Sequence, residues 1–181
     1  PLDPHLVPQL SPQYVKHYNE HIRHQVPIHR RPPTASRPVP PPSPIHWDIA
    51  PISVSKCKDV SVERKESQGS ALQIRYFVPF GDRPPPGWPV VIYFHGGGWM
   101  LGDLDSENPL CTRLCMEANA VVIMTEYRLA PAHPHPAAIE DSLETLLWVK
   151  SQKDCGLHLD LTKVVVGGQS AGANIAAVAV H

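Results

Sequence analysis

Three apolar runs constrain the fold of this chain more than any other feature. Pro89–Phe94 (PVVIYF), Ala120–Thr125 (AVVIMT) and Lys163–Val166 (KVVV) are near-continuous hydrophobic segments of strand length. A strand with one wet face alternates apolar and polar residues, so a run without alternation reads as a strand covered on both faces. Segments with helical spacing separate and follow these runs. Glu107–Ala118 is the first; Pro136–Lys150 is the second, with Ile139, Leu143, Leu146 and Leu147 as its apolar stripe. Ala171–Val180 is the third, built of small residues that suit close packing. Strand and helix alternate three times, which predicts a doubly wound α/β layout with a mostly parallel sheet. Upstream, Ile52–Arg64 and Ala71–Val78 read as two further strands around the turn-like Glu66-Ser67-Gln68-Gly69.

The 181 residues divide by texture into a helical segment 1–26, a Pro-rich arm 27–51 and the α/β region 52–181. Nine prolines in the 25 positions of the arm dictate extended, polyproline-like chain. Pro38-Val39-Pro40-Pro41 satisfies a bare PxxP, but no basic residue flanks it at the spacing SH3 grooves use, so a connecting arm is the simpler reading. In the helical segment Ser11 can cap, Pro12 suits the first turn, and Tyr14, Val15, Tyr18 and Ile22 recur at helical spacing over 11–25. His17, His21 and His24 share that segment; a solvated face explains them more simply than a metal.

Lys and Arg number 16 against 17 Asp and Glu, so no basic field favours nucleic acid or anionic membrane. No apolar run reaches the ~20 residues that cross a bilayer. Four scattered cysteines do not make a disulfide scaffold; Cys111 and Cys115, four apart, read as small core residues. No signal peptide is visible, but the chain begins at Pro1 rather than Met, so the compartment stays open with cytoplasm the default expectation. The oligomeric state stays open too.

Two glycine-rich motifs carry chemistry. Gly168-Gln169-Ser170-Ala171-Gly172 is a G-x-S-x-G between an expected strand and an expected helix. A serine on such a sharp turn needs small neighbours, and the helix N-terminus and the Ala171 N–H lie where an oxyanion would form. His95-Gly96-Gly97-Gly98-Trp99 directly follows an expected buried strand. Its glycines let backbone N–H groups face a ligand, and no Gly-Lys-Ser/Thr follows to make it a phosphate loop. The HGGG loop is the usual partner of the serine turn, and here 75 residues separate His95 from Ser170. A third motif, Glu126-Tyr127-Arg128-Leu129-Ala130-Pro131, continues into Pro134-His135-Pro136-Ala137-Ala138-Ile139-Glu140-Asp141.

Together these motifs resemble the hormone-sensitive-lipase-like branch of the α/β-hydrolases, a branch of esterases and lipases, over about Pro89 to His181. The resemblance implies an α/β-hydrolase fold, with the N-terminal segment similar to that branch's cap, and a small-molecule ester as substrate. It implies Ser170 as nucleophile and Gly97, Gly98, Ala171 and also Gly96 as oxyanion donors. It gives His95 a loop-bracing role rather than that of the catalytic base, with Trp99 beside it. Gly168 and Gly172 flank the nucleophile. Tyr127, Arg128 and Asp141 hold the loop after the fourth strand. No metal or organic cofactor is implied.

The chain departs from the family pattern at three positions. Gln169 stands where Asp usually precedes the nucleophile, Ala132 where Glu usually follows YRLAP, and His135 where an aromatic residue is usual. A serine hydrolase also needs a base and a carboxylate to orient it, in this family after the nucleophile. Only 11 residues follow Ser170, and His181 lies roughly 16 Å along the same helix at about 1.5 Å per residue. The expectation is therefore a chain cut before its triad is complete, silent on its own. The alternative is a non-catalytic small-molecule receptor on the same fold, similar to the gibberellin receptors.

Overall fold

The computed structural model describes residues 2–26, 30, 50–151 and 156–181. The chain forms two units, Pro1–Asp48 and Ile49–His181. The Pro-rich arm expected over 27–51 lies almost wholly outside the described residues.

In the first unit a 3-10 turn, Val7–Gln9, precedes helix α1, Pro12–His17. The Ser11 hydroxyl accepts the Tyr14 N–H at 3.2 Å and Pro12 opens the helix, as their residue types require. The helix then widens into a π turn over Tyr18–Ile22 and ends there. None of its residues is buried, and Tyr14 and Ile22 of the expected stripe are exposed.

The second unit is built on a five-stranded sheet of order β1-β2-β4-β3-β5. Its strands are β1 Lys56–Val62, β2 Leu72–Val78, β3 Trp88–Phe94, β4 Val121–Glu126 and β5 Leu159–Gly168. The helices are α2 Asn108–Glu117, α3 Ala137–Ser151 and α4 Ala171–Ala179. The three apolar runs lie side by side and parallel, β4 and β5 flanking β3. The hairpin β1–β2 joins the sheet antiparallel on the outside of β4.

The lack of alternation in β3 and β4 has the expected cause. Val90, Ile92, Phe94, Val121 and Ile123 join one core, with Trp148 of α3 and Ile175 of α4. Tyr93, Val122 and Met124 face a second core with Cys111 and Cys115 of α2. Both thiols are fully buried, and burial pushes each up to about 12, so they act as small apolar groups.

Two expectations need correction. The KVVV run is not buried on both faces: Val165 is 60% exposed, and among the described residues β5 pairs with β3 alone at the edge of the sheet. The stripe of α3 is also rotated from the one expected. Leu143 is exposed, while Asp141, Glu144 and Thr145 turn inward beside Trp148 and Val149. Polar groups occupy that face because each has hydrogen-bond partners there. No helix among the described residues is long and apolar enough to cross a membrane.

Candidate active site

β5 ends at Gly168 and α4 begins at Ala171, leaving Ser170 on the turn between them. Its backbone has φ 52° and ψ −116°, a region L-residues rarely enter, and the residue is exposed. The Gly172 N–H donates to the Gln169 carbonyl at 2.8 Å and the Asn174 N–H to the Ser170 carbonyl at 3.2 Å, closing the turn. A Cβ on Gly172 would fall 2.0 Å from the Phe94 carbonyl oxygen, and one on Gly168 would fall 2.5 Å from the same atom. Only glycine at both positions lets the start of α4 lie against the end of β3.

The second motif leaves the end of β3 beside this turn. His95 is fully buried, its ring stacked on that of Tyr127 with centroids 4.2 Å apart and planes 16° apart. His95 Nδ1 lies 2.7 Å from the Gly96 carbonyl, and since a carbonyl only accepts, Nδ1 carries the proton. Gly102 lies against the same ring: a Cβ there would sit 2.3 Å from Nδ1. Beyond His95 the chain runs through three positive φ values, 122° at Gly97, 61° at Gly98 and 59° at Trp99. The Gly97 carbonyl then accepts the N–H groups of Met100 and Leu101, at 3.1 and 3.0 Å. Gly98 faces open space, and Trp99 is 44% exposed.

Among the described residues the N–H groups of Gly97, Gly98 and Ala171 form no hydrogen bond. Burial holds the half-buried Glu107 carboxyl, close to the Gly96 backbone, above the usual carboxylate range. Gln169 packs against Gly96: a Cβ on Gly96 would come within 3.4 Å of its side-chain oxygen.

The YRLAP segment braces this loop. The Tyr127 hydroxyl donates to the His95 carbonyl at 2.8 Å, and the Ala130 N–H donates to the Trp99 carbonyl at 2.9 Å. Arg128 turns away and, with its own N–H and Nε, grips the carboxylate of Asp141 at 2.7 and 2.9 Å. Asp141 is completely buried and also bonds Arg64, so one carboxylate ties the end of β1, the YRLAP loop and α3 together.

Sequence reasoning missed Arg64 and Glu144. Glu144 accepts three successive N–H groups, from Lys65, Glu66 and Ser67, and the Ser67 hydroxyl. Burial alone raises a carboxylate, but these four donors hold it at about 2. The signal available for Glu144 was a polar residue one turn from Asp141 and Trp148 on the same helix face.

Residues 91–181 match a family described as having the alpha/beta hydrolase fold. The chain is 39% identical over 185 residues to an AB hydrolase superfamily protein of Schizosaccharomyces pombe, spanning all of this chain and 53% of that protein. It is 48% identical over 90 residues to Carboxylesterase NlhH of Mycobacterium tuberculosis, covering 50% of this chain and 28% of the relative. Among solved structures, an esterase from Pyrobaculum calidifontis superposes with a TM-score of 0.63 at 35% identity, over 70% of this chain and 39% of that one. The metagenomic carboxylesterase EstE1 gives 0.65 at 32% identity, over 73% and 42%. The chain belongs to the α/β-hydrolases, in the family of hormone-sensitive-lipase-like esterases. It spans about half the length of the first of these relatives and less of the others.

Proposed function

We propose that the protein carrying this sequence hydrolyses small carboxylic esters through Ser170. The observation that carries the reading is the backbone of Ser170 itself. A non-glycine residue at φ 52°, between a strand and a helix and flanked by two glycines that admit no Cβ, is strain kept where a nucleophile must project.

In this mechanism Ser170 Oγ attacks the ester carbonyl carbon and loses its proton to a histidine base. The alcohol leaves with that proton, and an acyl-serine remains. Water, deprotonated by the same base, then attacks the acyl carbon, the Ser170 oxygen leaves and is reprotonated, and the acid is released. The N–H groups of Gly97, Gly98 and Ala171 hold the negative oxygen of both tetrahedral intermediates, helped by the positive end of α4. The base and its carboxylate follow Ser170 in the family's chain order.

The test uses the full-length protein with p-nitrophenyl acetate and a fluorophosphonate probe. Hydrolysis and covalent labelling are expected, both lost in Ser170→Ala. A Ser170→Ala protein that still turns over ester at the parent rate overturns the assignment.

A further inference from the structure

Spacing alone does not separate a metal-binding pair in the N-terminal segment from a solvated helix face; the placement of the rings does. His17 ends α1, and His21 lies in the π turn that follows. Side chains four apart share a helix face, and the two imidazoles meet there with centroids 4.9 Å apart and planes tilted by 46°. Two imidazoles on one tetrahedral ion, with metal–nitrogen bonds of about 2.0–2.1 Å, have centroids roughly 5 Å apart. Glu20 brings one carboxylate oxygen 3.7 Å from His21 Nε2 and the other 4.0 Å from Lys16 Nζ. Both rings can be reached: the His21 side chain is 49% exposed and His17 is only partly covered. The backbone under the pair is itself unusual. The Arg23 N–H reaches back five residues to the Tyr18 carbonyl at 2.8 Å, a widened turn of a kind that is rare and often found at functional sites.

We propose that His17 and His21 together bind one divalent transition-metal ion of the zinc type, which clips the end of α1 to the π turn. Imidazole nitrogen suits such ions, and the Glu20 carboxylate offsets part of their charge. No three His, Cys, Asp or Glu side chains among the described residues surround a common point, so water fills the remaining positions and the ion exchanges with solvent. The clip has a physical task. α1 is six residues long, and neither it nor the π turn buries a side chain. A helix so short is marginal on its own hydrogen bonds, and a link across one turn holds it. The proposal is independent of ester hydrolysis, which is assigned to residues of the other unit.

The experiment titrates the full-length protein with Zn²⁺ alone, by calorimetry, and follows amide hydrogen exchange over 12–23 with and without the ion. His17→Gln and His21→Gln each remove one ligand and leave a polar side chain that helices accept. Zinc affinity is expected to fall about tenfold or more in each, to a similar extent, because either change leaves a single imidazole; Glu20→Gln should lower it less, by about threefold. With free Zn²⁺ at about ten times its dissociation constant, exchange over 12–23 in the parent should slow about tenfold. The same zinc should leave that exchange unchanged in His17→Gln and in His21→Gln. Zinc affinity at the parent value in both variants overturns the proposal. Zinc that binds the parent without slowing exchange over 12–23 overturns it as well, since the ion then sits elsewhere or clips nothing.

Discussion

The carboxylate of Glu144 meets the backbone N–H of Ser67 at 2.7 Å, across 77 residues of sequence. With Lys65 and Glu66 beside it, this bond fastens the β1–β2 turn to α3. The folded pKa is held at about 2, below that of the unfolded chain, so the unfolded state takes up the proton first as pH falls. The stabilisation is complete above about pH 5, amounts to roughly 3 kcal/mol, and disappears as pH falls toward 2. Urea titrations at several pH values should show this acid slope in the parent and a flatter one in Glu144→Gln.

Asp141 answers two arginines from a site with no exposure. Asp141→Ala strips the compensating charge from both and should cost about 3 kcal/mol or more, read from the denaturation midpoint. Arg128→Lys should not rescue a lost arginine, because an ammonium cannot reproduce the two-pronged grip from Nε and Nη2.

Gly98→Ala and Gly97→Ala should behave differently. A Cβ on Gly98 meets nothing within 4 Å, whereas one on Gly97 lands 2.1 Å from the Leu101 carbonyl oxygen. Gly97→Ala must reshape the loop and should lower kcat on p-nitrophenyl acetate by on the order of 100-fold. Gly98→Ala pays only the left-handed backbone strain and should retain far more activity.

The outer side of β5 presents Leu161, Val164 and Val165 to solvent. An unpaired apolar strand edge templates association with other chains. The 181-residue chain should therefore elute as soluble aggregate on size-exclusion chromatography, and Val165→Lys should shift it toward monomer. A monodisperse parent chain would contradict this.

The elements legible in the sequence were those whose cause is local. The unbroken runs of β3 and β4 and the Ser11 cap show in neighbouring residues, and the glycines around Ser170 stand in one short motif even though the Phe94 carbonyl that requires them is distant. What stayed hidden depended on partners far along the chain. The resemblance marks Asp141 as a structural residue, but nothing near it announces Arg64, 77 residues earlier, and the leucine spacing of α3 does not show its polar inward face. Glu144 escaped for the same reason: its partners are mostly backbone N–H groups, which leave no mark in residue type. The exposure of β5 depends on which strands flank it, a property of sheet order rather than of the KVVV run.

The carbonyl of Phe94 is the contact point for Gly172, and the residue after it begins the oxyanion loop. The proposed nucleophile and the proposed oxyanion donors are therefore both referenced to a single strand end. Twisting of the sheet, breathing of the hairpin or drift of α3 displaces the two together and leaves their separation unchanged. The arrangement resembles two instruments bolted to one post: the bench can move, and the alignment between them survives.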